Sequence, residues 1–372
     1  MRMLIVRGYG SIMNIGNYNT QEIGLAKAFI KAGIETDIVF YGGKEPSHIQ
    51  KWPIDGEKSI SIYWLKGKEY LKHGVMPEVY ELANNYDYLW LDEYNQYISY
   101  KLAKLYPEKS YIYHGPYTQN YSVLRRVMDE ICSTIFFDKK VADNVQVFTK
   151  SQLAKKSLKK RGFKKIETLG VGLDTSRFRN FDAVDLNSIG MNPSDKFLLY
   201  IGSIDERRNT LFLLEVFHKL CIRNKEYKLL LIGKAKDKYW KKCISLIKRY
   251  DLESKVVHVE KMPQDHLPDI YKSATAFLFP TRYDIFGMVL MEAMYFGVPI
   301  ISSINGGSTT LIQSGENGFV CDLKYDSWIQ ATQEVISNDI LRDKLGKAAQ
   351  ETIRAYSWEC IVEHAMKFMK GI

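Results

Sequence analysis

The sequence predicts an α/β protein of two domains, each a largely parallel sheet with helices on both faces. Three observations lead to this prediction. The chain has 372 residues, more than one compact domain normally uses. Short apolar runs of strand character alternate with helical patterns along both halves. Between the halves, the apolar periodicity lapses into polar and turn residues over 180–195, so we place the domains at 1–185 and 195–355.

The first half reads as repeated strand–helix units. An apolar strand at 3–8 precedes a glycine-rich loop, and a helix at 23–33 follows, with Ile23, Ala26, Phe29 and Ile30 on one face. The remaining units are a strand at 36–41, a strand–helix–strand pattern over 86–116 and a strand at 144–151. Gly8 and Gly10 let the backbone approach a ligand closely. No GxGxxG follows the strand, which argues against a nicotinamide or flavin site.

The second half restarts with a strand at 196–202 and a helix at 211–220. Further predicted strands lie at 228–233, 255–260 and 276–280. The tail at 356–372 is an amphipathic helix.

The segment from Phe279 to Cys321 is the most informative part of the chain. It contains a polar loop, an apolar helix from Met288 to Phe296, a second strand, and the turn Asn305-Gly306-Gly307. This order makes a βαβ unit, whose loop lies at the carboxyl end of a parallel sheet, where such sheets bind ligands. N–H groups of Gly287, Met288 and Val289 at the helix start favour an anion such as a diphosphate.

Two acidic residues flank this predicted anion site, Asp284 in the loop and Glu292 within the helix. One interpretation makes Glu292 the solvated edge of an amphipathic helix. The helix is apolar on nearly every side, however, and a charge there is costly unless a polar group pairs with it. The functional interpretation is a carboxylate that accepts hydrogen bonds from ligand hydroxyls.

Arg207 and Arg208 follow the strand at 196–202, just before a helix. Guanidinium groups bind phosphate oxygens at two points, so these arginines suit a diphosphate. The alternative is a pair of surface charges that contact Asp205 and Glu206.

His114 ends a predicted strand in the first half, before Gly-Pro. A lone histidine is often structural, but the carboxyl end of a strand favours a functional role. Asp92 and Glu93 also follow a strand, and they are either a paired-acid site or a helix N-terminal cap.

Composition excludes several classes of protein. Five cysteines show no CxxC pairing and no matching histidine spacing, so we expect neither a structural zinc site nor a disulfide framework. No apolar run reaches the ~20 residues of a membrane-spanning helix, and the start lacks a secretory signal, so we expect a cytoplasmic protein.

The net charge of +9 is not spread evenly, and a predicted helix at 152–161 carries Lys155, Lys156, Lys159 and Lys160. This face is either simply solvated or binds anionic lipid headgroups. No nucleic-acid motif accompanies the lysines, so we expect no nucleic-acid partner.

The spacing of Asp284 and Glu292, followed by Gly-x-Pro and Gly-Gly, resembles the signature of family 4 of the retaining glycosyltransferases, also described as glycosyl transferases group 1. The resemblance implies the GT-B fold, with two Rossmann-like domains facing across a cleft and the C-terminal helix, 356–372, crossing back to the N-terminal domain. The acceptor side is then 1–185 and the donor side 195–355.

The resemblance also implies roles for individual residues. Glu292 would hold the ribose, and Asp284, where the family usually has Glu, would contact the transferred sugar. Arg208 and Asn209 stand at the family's Lys-Gly, whereas Ser203 stands at its usual arginine. The residues implied as catalytic are His114, Asp284 and Arg208; those implied as substrate-binding are Gly16, Arg207, Asn209, Phe286, Gly287, Met288, Val289 and Glu292.

Weaker matches extend the resemblance. Ser151, Gly162, Asp174 and Phe178 fit a strand–helix–glycine pattern with a later Asp and aromatic residue, and the nucleotide base would lie near 260–262. Thr310 replaces a frequent Glu.

The function that the resemblance implies is sugar transfer, with retention, from a UDP- or GDP-linked donor to an acceptor hydroxyl. It needs no cofactor and no metal, because arginines and a helix end supply positive charge. From the basic helix we expect a glycan or lipid-linked acceptor in cell-surface polysaccharide synthesis, and peripheral contact with an anionic membrane on its inner face. A sugar-nucleotide epimerase, a phosphorylase and a non-catalytic sugar-nucleotide-binding subunit remain alternatives.

Overall fold

The computed structural model describes residues 1–15, 20–54, 59–118, 122–179 and 182–371. The chain divides into two compact units. The first comprises Met1–Asp174 with Tyr356–Ile372, and the second comprises Thr175–Ala355. Every helix within the described ranges is too short or too polar to span a bilayer.

The first unit is built around one large sheet and a separate hairpin. Its strands are β1 (Arg2–Val6), β2 (Glu35–Tyr41), β3 (His48–Pro53), β4 (Ser59–Leu65), β5 (Lys68–Tyr70), β6 (His73–Val75), β7 (Tyr88–Asp92), β8 (Ser110–His114), β9 (Gln146–Thr149) and β10 (Ile166–Thr168). Its helices up to Asp174 are α1 (Gln21–Lys31), α2 (Val79–Ala83), α3 (Tyr97–Leu105), α4 (Val123–Ile135), α5 (Lys139–Asn144) and α6 (Gln152–Arg161).

The strand order in this sheet is β10-β9-β8-β7-β1-β2-β4-β3. All neighbours are parallel except β3, which runs antiparallel to β4. β7 and β8 are buried along their whole length, which is why these strands are nearly continuous apolar runs rather than alternating ones. The chain winds from β1 to β2 on one side and returns to β7 on the other, so the order reverses between β1 and β7.

The second unit contains a fully parallel sheet. Its strands are β11 (Lys196–Ile201), β12 (Tyr227–Ile232), β13 (Val256–Val259), β14 (Ala276–Phe279), β15 (Ile300–Ser303) and β16 (Phe319–Cys321). Its helices are α7 (Thr210–Cys221), α8 (Asp237–Arg249), α9 (Leu267–Ser273), α10 (Met288–Tyr295), α11 (Ser308–Leu311), α12 (Tyr325–Ser337) and α13 (Asp339–Arg354). Short 3₁₀ turns lie at Thr175–Phe178 and Leu186–Ile189.

The order β13-β12-β11-β14-β15-β16 is that of a Rossmann-type sheet, 3-2-1-4-5-6 in chain order within the unit. Its reversal lies between β11 and β14, which pair in parallel through Leu198 and Leu199. The predicted α/β class, with a largely parallel sheet in each half, is confirmed. Strands β3 to β6 and helices α4 and α5 are not among the predicted elements.

The boundary between the units differs from the predicted linker, because residues 175–185 belong to the second unit. The Phe178 ring lies 5.0 Å from the ring of Tyr295 and 5.1 Å from that of Phe296. The backbone N–H of Val184 donates to Asp269 Oδ2 at 2.8 Å. These contacts tie a stretch of polar sequence to the second unit, and its composition alone does not reveal them.

The C-terminal helix α14 (Trp358–Met366) packs on α1 in the first unit. The indole of Trp358 occupies the space that a Cβ would need at both Gly24 and Gly172. Lys31 Nζ, on α1, lies 3.1 Å from Glu359 Oε1. The crossing of the C-terminal helix to the first unit therefore depends on one aromatic ring between two glycines.

We predict that Gly24→Ala destabilises the chain by roughly 1–3 kcal/mol, because the added methyl overlaps the Trp358 indole in a filled site. The better helix propensity of alanine offsets only part of this. Urea unfolding followed by tryptophan fluorescence measures the change. Lys27→Ala, at an exposed position of the same helix, should change the free energy of unfolding by less than about 0.5 kcal/mol. Equal stability of the two variants would contradict this packing.

Candidate functional site

Two loops of the second unit meet where its strand order reverses. One loop follows β11 and leads into α7; the other follows β14 and leads into α10. In open parallel sheets, ligands bind outside the carboxyl ends of the strands at such a reversal. The predicted site residues of the second half lie on these two loops and the helices they begin.

An ion pair joins the two loops. Arg208 Nη1 donates a hydrogen bond to Asp284 Oδ2, and Arg207 Nη1 lies 3.7 Å from the same oxygen. Arg207 Nη1 also donates to the carbonyl of Tyr283 at 3.0 Å. The guanidinium carbon of Arg208 lies 4.9 Å from the centroid of the Phe279 ring, at the end of β14. Two cations and one carboxylate therefore meet at the reversal point.

The second oxygen of Asp284 organises the start of α10. Its Oδ1 accepts the N–H groups of Phe286 at 3.1 Å and Gly287 at 2.8 Å. The Gly287 N–H is expected from the sequence to bind a diphosphate. In the structure it donates to Asp284 instead. Within the described residues, the N–H groups of Met288 and Val289 have no acceptor, so they are the helix-start donors that remain.

The Gly306-Gly307 turn brings the β15 loop against the β14 loop. A Cβ at Gly306 would overlap the carbonyl of Ile285, and one at Gly307 would overlap the carbonyl of Phe286. The N–H of Gly306 donates to the carbonyl of Asp284 at 3.0 Å. Only glycine permits this approach, so the pair supports the backbone that carries Asp284.

The β11 loop is shaped by Asp205 and Asn209. Asp205 Oδ1 accepts the backbone N–H of Arg208 at 2.9 Å, and Ser203 Oγ donates to Asp205 Oδ2 at 3.1 Å. Asn209 adopts a left-handed conformation with φ of 60°, which asparagine tolerates better than most non-glycine residues. The alternative in which Arg208 pairs its guanidinium with Asp205 is wrong: that carboxylate binds the backbone of Arg208, and the side chain binds Asp284.

Glu292 is buried in α10, with 2% of its surface exposed, so the interpretation as a solvated helix edge is wrong. The Tyr271 hydroxyl donates to Glu292 Oε2 at 2.8 Å, and Oε1 has no hydrogen-bond partner among the described residues. Burial raises the pKa of Glu292 to about 8. The site therefore contains a largely protonated acid at neutral pH, with one oxygen unsatisfied.

The first unit has its own polar cluster, at the reversal between β1 and β7. Glu93 follows β7 and is buried with His114, the last residue of β8. His114 Nδ1 lies 2.7 Å from Glu93 Oε2, and Lys150 Nζ lies 3.2 Å from Glu93 Oε1. The N–H of Gly115 donates to Glu93 Oε2 at 2.9 Å. The cap interpretation of Glu93 is wrong, because its carboxylate binds His114 and Lys150.

Neighbouring positive charge and burial together determine the protonation of the carboxyl groups in this cluster. Burial alone would raise the pKa of Glu93, but the Lys150 ammonium and His114 outweigh it and lower the pKa to about 2. Burial raises the pKa of neighbouring Asp92 well above its ordinary value, although Lys150 opposes the shift. Lys150 was not among the predicted site residues; its place directly after β9 is the signal that could have identified it.

The backbone and surface around His114 also suit a ligand site. Glu93 has φ of 56°, a strained conformation of the kind that concentrates at functional sites. A cavity of about 240 Å³ is lined by Tyr9, His73, Gln96 and His114, among others. The structure thus places His114 beside a polar cavity, with Glu93 behind it.

Two further expectations concern Gly16 and metal binding. Gly16, predicted to bind substrate, lies outside the described residues. In the described part of the chain, no group of three or more His, Cys, Asp or Glu side chains could hold a metal ion.

Comparison with known proteins finds relatives for part of the chain. A family model described as glycosyl transferases group 1 matches residues 183–352. The chain is similar to an N-acetyl-alpha-D-glucosaminyl L-malate synthase of Bacillus anthracis, at 26% identity over 193 residues, which is 51% of this chain and 49% of that protein. The chain spans about half the length of the curated relatives it matches.

Solved structures are similar along the whole chain. A sucrose-phosphate synthase from Thermosynechococcus elongatus has a TM-score of 0.73 at 18% identity, covering 99% of this chain and 98% of that chain. HepE from Anabaena, solved in complex with UDP-glucose, has a TM-score of 0.71 at 14% identity, covering 100% of both chains. This likeness concerns the fold, and it confirms the GT-B class predicted from the resemblance.

We predict that burial of Glu292 gives the chain a pH-dependent stability that Glu292→Gln lacks. Because the pKa in the folded chain is about 8, above the ordinary 4.5, the folded state holds a proton that the unfolded state releases. This contribution is present below pH 4.5 and is lost as pH rises toward 8. Between pH 6 and 7.5, the free energy of unfolding should fall more steeply in the wild type, by about 1.4 kcal/mol per pH unit.

Urea unfolding across this pH range measures the two slopes, and Glu334→Gln, at an exposed position of α12, is the matched control. The control should keep the wild-type slope. Parallel slopes for wild type and Glu292→Gln would show that Glu292 is ionised in the folded chain.

Proposed function

We propose, from the match of residues 183–352 to the family model described as glycosyl transferases group 1, that the protein transfers a sugar from a nucleotide diphosphate to an acceptor hydroxyl. The observation that carries the proposal is the meeting of Arg207, Arg208 and the open N–H groups of α10 at the strand-order reversal. Several positive groups converge there, and a nucleotide sugar carries its negative charge on the diphosphate.

The diphosphate binds to Arg208, with help from Arg207 and the N–H groups of Met288 and Val289. Arg208 Nε is buried and has no acceptor among the described residues, so the guanidinium keeps an unused donor while Nη1 contacts Asp284. Positive charge held in place stabilises the leaving diphosphate as the bond to the sugar breaks. We propose a UDP- or GDP-linked donor; the UDP-glucose complex of HepE, a protein of similar fold, supports the first.

The ribose of the donor binds to Glu292. Its unsatisfied Oε1 is the acceptor that a ribose hydroxyl can fill, and the Tyr271 hydroxyl holds Oε2 in place. Because Oε1 is shielded from solvent, neighbouring atoms must shift for the ribose to reach it. Hydrogen bonds from the ribose favour the ionised carboxyl, so donor binding lowers the pKa of Glu292 from about 8.

His114 and Asp284 orient the sugar, and the transfer retains the anomeric configuration by attack on the same face. The departing phosphate accepts the proton of the acceptor hydroxyl, so this route needs no protein nucleophile. Glu93 Oε2 lies 2.7 Å from Nδ1 of His114, which leaves the other ring nitrogen for the ligand. Arg207 and Arg208 provide the charge that a metal ion provides elsewhere, so we propose that chelators leave the activity unchanged.

We propose a glycan or lipid-linked acceptor, and peripheral contact with an anionic membrane. The support is the basic face of α6, on which Lys156, Lys159 and Lys160 are exposed. Lys155 contributes less to the positive charge of this face, because its Nζ lies 3.2 Å from Glu167 Oε2.

We predict that Arg208→Ala lowers donor-dependent nucleotide release roughly 10- to 100-fold, the loss expected for one charge-assisted hydrogen bond. The assay presents UDP-, GDP- and ADP-linked sugars, with and without a panel of acceptors. Arg249→Ala, an exposed arginine of the same unit, is the control and should retain full activity. Glu292→Ala should raise KM more than it lowers kcat, because the ribose contact exists before the reaction.

Two outcomes would contradict the proposed transfer, and a third would contradict the role of Arg208. Conversion of the donor sugar without any acceptor would indicate an epimerase. Binding of donor with no release under any acceptor condition would indicate a non-catalytic subunit. Equal activity of Arg208→Ala and wild type would remove Arg208 from the site.

A further inference from the structure

Helix α4 turns its apolar side outward. The exposed apolar side chains on this helix are Val123, Leu124, Val127, Met128, Ile131 and Ile135. At 3.6 residues per turn they fall within an arc of about 140°. The least exposed of them, Met128, keeps 44% of its surface accessible, and the most exposed, Leu124, keeps 75%. Surface helices of globular domains normally turn such an arc toward the core, so this face lacks the cover that its composition requires.

Residues outside the apolar arc fix the orientation of α4. Ser133, on the side of α4 that faces the domain, is buried. Glu130 Oε2 lies 2.6 Å from Arg161 Nη2 at the end of α6. Rotation of the apolar arc toward the domain would break the Glu130–Arg161 ion pair and expose Ser133. The outward apolar face, defined by the six residues above, is therefore part of the folded unit.

Helix α6 brings positive charge beside this face. Lys156, Lys159 and Lys160 are exposed, and in the parts of the chain that the structure covers none of them pairs with a carboxylate. A cavity of about 440 Å³ between the two helices is lined by Glu130, Lys156, Lys160 and Arg161, among others. Glu130, the α4 residue in this lining, lies about 20° from Val123 at the border of the apolar arc, so the lysines of α6 lie next to that border.

We infer that α4 and α6 together form a docking surface for an anionic phospholipid bilayer. The apolar face of α4 lies in the boundary between headgroups and acyl chains, and the lysines of α6 contact the anionic headgroups. Interfacial helices have this combination of an apolar face and cationic flanks. The inference rests on the proposed membrane contact and deepens it by assigning α4 as the inserting element.

Charge favours a bilayer over a second copy of the chain. A symmetric pair that buried α4 against its own copy would bring the lysine rows of the two α6 helices toward each other. Like charges at that distance oppose the contact. An anionic membrane, by contrast, complements both the apolar arc and the lysines.

The test is flotation of the full chain with vesicles of phosphatidylcholine alone or mixed with phosphatidylglycerol. One variant, Leu124→Ser with Ile131→Ser, removes apolar surface from α4. A second changes Lys156, Lys159 and Lys160 to Gln. The matched control, Ile222→Ser with Ile340→Ser, changes two exposed isoleucines of the second unit.

We expect the wild type to bind mixed vesicles and to bind phosphatidylcholine much more weakly. The α4 variant should lose roughly tenfold or more in partitioning, and the lysine variant roughly 100-fold, at about fivefold per lysine. The control should bind like the wild type. A Leu124→Trp variant should show a blue-shifted tryptophan emission when mixed vesicles are added. This shift is measured on one protein, so it does not require that the other variants fold equally well.

Vesicle binding unchanged by the α4 substitutions, with no emission shift for Leu124→Trp, would overturn the inference even if the lysine variant fails to bind. So would an α4 variant that changes the oligomeric state but not vesicle binding, because the face would then contact a second copy. Calorimetry with UDP separates the two proposals. If the α4 variant binds UDP normally and loses vesicles, the docking surface stands on its own; if wild type binds vesicles but no nucleotide, only the transferase proposal fails.

Discussion

The site in the second unit depends on one ionic contact, in which the Asp284 carboxylate holds the Arg208 guanidinium across the point where the strand order reverses. One oxygen of Asp284 contacts the Arg208 guanidinium, and the other accepts hydrogen bonds from the N–H groups of Phe286 and Gly287. A single side chain therefore positions both a charge and the start of a helix. The Gly306-Gly307 turn supports this by close backbone approach. A diphosphate that enters the site meets donors whose positions are already set, which reduces the reorganisation on binding.

Two buried glutamates illustrate how environment assigns chemistry to the same side chain. Glu93 lies against the Lys150 ammonium and the His114 ring, and its pKa is lowered to about 2, so it remains charged beside His114. Glu292 has only a tyrosine hydroxyl, and burial raises its pKa to about 8. The first residue can act as a permanent anion and the second as an acceptor whose charge depends on what binds. Each lies beside a strand-order reversal, the position at which parallel sheets bind ligands.

The periodic spacing of apolar residues and the positions of the glycines made much of the fold and of the site predictable. The α/β class, the βαβ unit around Glu292 and the family resemblance are confirmed, because their signals are local in sequence. The partner of Arg208 was not predicted, since Asp284 is distant in sequence and the nearer Asp205 offered an equally plausible charge. Lys150 and the outward face of α4 depend on tertiary packing, and a helical pattern alone does not say which side meets the core. The boundary after Asp174 likewise depends on the rings around Phe178.

The most direct test of the ionic contact is a double-mutant cycle on UDP affinity, measured by calorimetry for Arg208→Gln, Asp284→Asn and the double variant. Asparagine keeps an oxygen that can accept hydrogen bonds from the N–H groups of Phe286 and Gly287, but it carries no charge. The account predicts that Asp284→Asn weakens UDP binding when Arg208 is present and changes it less than about twofold when Arg208 is absent. The same loss in both backgrounds, or no loss in either, would contradict it.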